Sequence, residues 1–324
     1  MTVRFYQSSD AGAPVLRGAT PGDLINLLTK CLVEGYGSGA NAKVGAGWTK
    51  PFVGTNVACF KQGAGSNGMY LRVDDTSTAT QYRRAAVVGY ENMIDVNTGS
   101  PQSFPTVGQK ATGGTWYTHY SSGSVANPRP WMIIADEKFF WFMVNTYPEN
   151  GALATSYQEC YAFGDIIPFK PGDTTHTCLL SSDQDNNPNS TESYPWYGTD
   201  VNGGLSRYRL SFARDYTNLG GPTTHGWHAD HQKGSTSWGT GSLQYPHGPD
   251  GGLYLSPVWV HNPQVTPYSV RGIMPGLWVP CHTIGILGQH QTVAGQGELA
   301  GKTFMYRRHY NQAVMLEISD TWDR

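Results

Sequence analysis

Residues 129–145 read RPWMIIADEKFFWFMVN, and this stretch decides the fold. Two apolar arms, WMIIA and FFWFMVN, flank Asp136-Glu137-Lys138, a polar triplet that reads as a hairpin turn. A strand with one wet face alternates apolar and polar residues. These arms do not alternate, so both faces of the hairpin are expected to be covered. Trp131, Phe140 and Phe142 are expected to be neighbours across it.

Working outward, the flanking sequence is also strand-like. Upstream, Val3 to Gln7, Val57 to Phe60, Met69 to Val73, Arg83 to Tyr90 and the aromatic run after Gly114 read as short strands, the second and third joined by QGAGSNG. Trp48 and Phe52 open this β material. Downstream, Tyr157 to Phe163 reads as a strand turned by Gly164-Asp165. Ile166 to Phe169 and His176 to Leu180 follow, with Lys170-Pro171-Gly172-Asp173 as a turn between them. Leu205 to Phe212, Leu253 to His261, a bent Val270 to Pro280, and a closing hairpin from Gly301 to Ser319 complete the strands. Asn218 to Gly252 shows no regular element.

One segment breaks the β pattern. In residues 20–34, TPGDLINLLTKCLVE, the residues Leu24, Leu27, Leu28, Cys31 and Leu32 recur at helical spacing. Thr20 is a good N-cap, Pro21 suits the first helical position, and Gly35 is a left-handed stop. The expected fold is therefore mainly β: antiparallel, sandwich-like sheets, one short N-terminal amphipathic helix at about 20–34, and long loops. The expected organisation is a β-rich unit over 1–180, a loop-rich contact segment over 181–252, and a C-terminal β segment over 253–324 that packs on the first.

Composition supports the same class. The chain has 324 residues, enough to bury a substantial core. Only 14% are charged, against the usual quarter, while Gly (40), Pro (20), Tyr (19) and Trp (10) are abundant. Aromatic, charge-poor surfaces are common where a protein is covered by neighbours. The net charge of -2, with no basic run, speaks against nucleic-acid binding. No apolar run is long enough to span a membrane, and MTVRFYQSSD lacks a signal-peptide core, so export by its own signal is not expected. Cys31, Cys59, Cys160, Cys178 and Cys281 are an odd, scattered set that reads as buried thiols from a reducing compartment.

Chemistry-bearing patterns are few. THGWHADHQ places His225, His228 and His231 at three-residue steps, enough imidazoles for zinc or nickel if the chain brings them together. Glycine at 226 opposes the regular helix that would align them. Asp183, Asp185 and Asn187 begin like a calcium loop, but Pro188 and Tyr194 stand where that loop needs Gly and Glu. Ser242 lacks the elbow of a serine hydrolase, Cys281-His282 are adjacent and face apart in a strand, and the glycines at 37, 39, 45 and 47 lack the strand and helix of a phosphate cradle. No catalytic residue and no cofactor is assigned, so the chain is not expected to be an enzyme. Tyr194, Trp196, Tyr197, Trp227 and Trp238 sit in glycine-rich segments, where exposed rings suit a protein interface or a host-surface glycan.

The blocks APVLRGATPGDLINLLTKCLVEGYG, AGWTKPF, GTNVACFKQ, RPWMIIADEKFFWFMVN, YAFGDIIPFKPGD, VRGIMPGLWVPCH and LAGKTFMYRR resemble a recurring family of tailed-bacteriophage virion proteins. They cover most of 11–180 and 270–320. The resemblance implies a structural protein of the particle, located in the virion and assembling with copies of itself in a ring and with other virion proteins. Tail, tail tip or baseplate is the expected place, with the head-tail joint or capsid surface next. Residues 181–250 are the expected reaching segment. The rivals are a glycan-binding adhesin acting through the loop aromatics and a metal-dependent hydrolase at the three histidines.

Overall fold

The structure is a computed structural model that describes residues 2–119, 126–146, 158–182, 208–228, 252–262, 269–281, 287–309 and 312–322. The 129–145 hairpin forms as its sequence requires. Trp131–Ala135 and Phe139–Asn145 pair antiparallel with Phe142 opposite Ile133 and Val144 opposite Trp131. Every residue of both strands is buried. Arg4–Gln7 adds on one side and Gln158–Asp165 on the other, giving a central layer of four strands.

Both faces of this layer are covered, which explains the absence of alternation. Phe140, Phe142, Tyr161 and Phe163 share one face by register. Onto them pack Trp48, Phe104 and Trp116, with Trp116 stacked on Tyr161 at 5.4 Å and Phe104 stacked on Phe163 at 6.2 Å. These rings come from, or flank, an antiparallel meander of Thr49–Gly54, Val57–Lys61, Tyr70–Asp74, Arg84–Tyr90 and Gly114–Tyr117. The opposite face carries Phe139, Trp141 and Met143. It meets C-terminal elements: the Trp141 indole donates to the Pro275 carbonyl at 2.8 Å, and Phe139 packs edge-on against Trp322. Trp131 lies opposite Val144, on the face that carries Phe140 and Phe142 and diagonal to Phe142, and Trp116 is a ring that touches both phenylalanines.

From Gln158–Asp165 the sheet continues through Thr177–Ser182, Tyr208–Phe212, Thr223–His228, Leu255–Asn262 and Ser269–Pro280, each antiparallel to the last. Ile167–Pro168, directly after Gln158–Asp165, pairs back onto Ser269–Pro280 and closes the strands into a barrel. Gln312–Glu317, Thr303–His309 and Thr292–Ala294 extend it outward. The meander joins at Thr115 opposite Ser182. The fold is thus mainly β, with antiparallel, curled sheets and one short helical segment.

Three sequence expectations change. The helical segment is an α-helix over Asp23–Leu28 that widens to a π-helix over Thr29–Glu34. Its Leu24, Leu27, Leu28, Cys31 and Leu32 are fully buried, and Gly35 ends it at positive φ. Thr20 does not cap it. Gly22 occupies the cap with φ 84 and no side-chain hydrogen bond, and the Leu24 N–H donates to Asp75 instead. Gly164-Asp165 does not turn the chain. Gly164 lies within the strand, where a Cβ would come within 2.2 Å of the Lys138 carbonyl, and Asp165 is buried. Lastly, Thr223–His228 is a strand inside a segment expected to be irregular.

Candidate functional site

His225 is the one member of the histidine triad whose side chain the structure describes. Its strand lies between Tyr208–Phe212 and Leu255–Asn262, with Leu210 opposite His225 and His261 opposite Gly226. The imidazole is 1% exposed and packs on the Phe212 ring at 4.5 Å. The Arg271 guanidinium covers the same ring at 4.3 Å. Arg271 in turn holds Asp173 through two hydrogen bonds of 2.9 and 3.0 Å and donates to the carbonyls of Thr175 and Arg214. The result is a buried stack of imidazole, phenyl ring, guanidinium and carboxylate that ties the 173–175 turn to two neighbouring strands.

Electrostatics fix the charge states. Burial, reinforced by Arg271 and His261, lowers the His225 pKa to about 3, so the ring is neutral at pH 7. Burial alone would raise Asp173, but its hydrogen bonds and ion pair with Arg271 bring it below the usual carboxylate value. A neutral imidazole is the form a metal needs. The guanidinium beside it opposes a dication. Because residues 223–228 form a strand, three-residue steps do not share a face, and the helical stepping that would gather the triad is absent there. His231 lies outside the described residues, as do Tyr194, Trp196, Tyr197 and Trp238. So do Asp183, Asp185, Asn187, Ser242 and His282. Trp227 lies in the strand with its backbone opposite Val260.

Of the glycines weighed as a phosphate cradle, Gly37, Gly45 and Gly47 lie where a Cβ would crowd neighbouring atoms, while Gly39 faces open space. Tyr36 and Lys43 exchange backbone hydrogen bonds, and a Cβ on Gly45 would fall 2.4 Å from the Val33 carbonyl oxygen. Beside the helical segment lies a polar cleft of about 430 Å³ lined by Asn26, Lys30, Lys50 and Asn56. Its cations are already engaged: Lys30 pairs with Glu34 at 2.6 Å, and Lys50 donates to Thr29 at 3.0 Å.

The sequence reading missed a surface feature that the Arg271–Asp173 pair supports. Phe169 donates its backbone N–H to the Arg271 carbonyl, next to Val270, and the two apolar side chains are 54% and 47% exposed. The adjoining 170–174 turn is laced to 215–218. Lys170 donates to the Tyr216 carbonyl, and Asn218 bonds both Gly172 and Thr174. Leu219, 69% exposed, follows directly. The signal that could have found this surface was present: FKPGD ends a strand on an aromatic residue and turns at once. Among the described residues, no helix is long and apolar enough to cross a membrane. No family model matches the chain, and a search of curated proteins returns no match.

Proposed function

We propose that this chain is a structural component of a tailed-phage virion, assembling with copies of itself and with other virion proteins in the tail, tail tip or baseplate. The observation that carries the reading is the exposure of two large apolar residues, Phe169 and Val270, on neighbouring hydrogen-bonded segments. Both large apolar side chains stand half in water, and the Phe169 N–H is hydrogen-bonded to the carbonyl of Arg271, whose side chain forms the buried ion pair with Asp173. Exposed large apolar side chains held on hydrogen-bonded backbone suit a contact with another protein. The low charge content and the resemblance of 129–145, 161–173 and 270–282 to phage virion proteins support the same reading. Copies related by cyclic symmetry would bring this surface against a different face of the next protomer.

Two measurements test it together. Native mass spectrometry of the purified chain is expected to show a closed homo-oligomer, and density for the chain is expected in a map of the intact particle. A strict monomer at assembly concentrations that is also missing from purified particles would sink the proposal.

A further inference from the structure

Arg83, Arg271 and Arg307 are among the arginines with almost no exposure. The first two each hold a buried aspartate, Asp75 at 2.5 Å and Asp173 at 2.9 Å. Arg307 does not. It is 1% exposed, its Nη1 meets the Met132 sulfur at 3.9 Å, and its Nε and Nη2 have no hydrogen-bond partner among the described residues. Among the described residues, the titratable group that acts on it is the Cys160 thiol, which burial keeps protonated. Burial lowers the Arg307 pKa to about 10, which still leaves a cation at neutral pH. Isolated cations are not retained in protein interiors without a counter-charge, because the desolvation cost is several kcal/mol.

The surroundings define what that counter-charge can be. Met132, Met143 and Cys160 lie opposite one another on three adjacent strands of the central layer, so their side chains form one buried row of sulfur. Arg307 descends on this row from Thr303–His309. His290 lies alongside, its backbone N–H donating to the Tyr306 carbonyl at 2.9 Å and its ring Nε2 buried with no partner among the described residues. Its ring feels the guanidinium, which adds to the effect of burial in keeping it neutral. The site therefore offers two guanidinium nitrogens with their N–H groups, an imidazole edge and a soft, polarisable wall. Among the described residues, no carboxylate and no second cation acts on Arg307.

We propose that Arg307, His290 and the sulfur row of Met132, Met143 and Cys160 bind one small, polarisable, monovalent inorganic anion of the halide class. A divalent oxyanion would need more donors than the site presents. Sulfur walls favour the larger, softer halides, so bromide should bind at least as well as chloride, and fluoride worst.

The test is thermal unfolding of the whole chain at constant ionic strength, with sodium bromide replacing sodium gluconate in millimolar steps. The wild type is expected to show a saturable rise in Tm of about 2 °C or more. Arg307→Met, which keeps the length and removes the charge, should show none. This order opposes the general destabilising effect of soft anions, so a bulk salt effect cannot imitate it. An unchanged Tm would overturn the proposal. Should Arg307→Met fail to fold, crystals of the wild type soaked in bromide decide: an anomalous peak beside the guanidinium is expected, and its absence is fatal. A thiolate absorbance at neutral pH that disappears in Cys160→Ser would place the counter-charge on sulfur and overturn the anion as well.

Discussion

The Asp75 carboxylate accepts the backbone N–H of Leu24 at 3.1 Å while holding Arg83 at 2.5 Å, with all three residues fully buried. One side chain therefore does two tasks. It supplies the helix cap that Gly22 cannot, and it neutralises a cation that also reaches the Thr20 carbonyl and the Thr118 hydroxyl. The helical segment is fastened to the meander at its first turn by this carboxylate.

Removing it should cost more than a cap. Asp75→Ala leaves Arg83 buried without its partner, and a loss of about 3–5 kcal/mol is expected in urea unfolding. Asp75→Ala combined with Arg83→Met should be less destabilised than the sum of the two single variants, because the double variant no longer strands a charge. Strict additivity would show that the pair does not interact.

His225 sets a slope with pH. Its folded pKa of about 3 lies below the ordinary 6.5, so the unfolded chain binds the extra proton. The stability it contributes is complete above pH 6.5 and is lost as pH falls towards 3. Asp75 works in the opposite sense: burial, opposed by Arg83, raises it to about 6, so its contribution grows as pH falls through that value. The comparison must therefore be made between variants. Between about pH 7 and pH 5, the wild type should lose about 2 kcal/mol more than His225→Phe. Parallel pH profiles would mean that the ring is hydrated and titrates normally.

Trp116 joins the two halves of the aromatic core, touching Phe140, Phe142 and Tyr161 and donating its indole N–H to the Leu180 carbonyl at 3.0 Å. Trp116→Ala is expected to cost about 3–5 kcal/mol by opening a cavity and leaving that carbonyl without its donor. Near-ultraviolet circular dichroism should lose much of its fine structure. A loss below 1 kcal/mol would indicate that the meander does not pack on the central layer here.

The exposed pair separates assembly from folding. Phe169→Asp and Val270→Asp change side chains that stand half in water, so the unfolding midpoint should move by no more than about 0.5 kcal/mol. The proposed homo-oligomer should nevertheless dissociate, as read by native mass spectrometry. Oligomers that survive both substitutions would place the contact elsewhere on the protein.

How far the sequence could be read follows from how local each signal is. The 129–145 hairpin was legible because a strand covered on both faces cannot carry polar alternation. The helical face was legible because its period lies within a dozen residues. The cap was misread because Pro21-Gly22 bends the chain before Thr20 can reach the helix, and the carboxylate that replaces it lies 51 residues away. Gly164 read as a turn because glycine marks reversals in one dimension, whereas here its positive φ of 140 and the crossing Lys138 carbonyl require glycine inside a strand. The strand Thr223–His228 carries no alternation of its own and exists because both its neighbours hydrogen-bond to it. The His225 stack drew attention as a metal ligand set. Its partners Phe212, Asp173 and Arg271 are scattered through the chain and meet only once the barrel closes.

The middle layer also dictates an order of events in the cell. Its hairpin leaves the ribosome long before Pro275, Arg307 and Trp322, the residues that shelter its second face. Until translation reaches them, a sheet rich in tryptophan and phenylalanine has one side with nothing to lie against. Production of this protein should therefore depend on chaperones that shield nascent chains, and truncation before the last strands should send it into inclusion bodies.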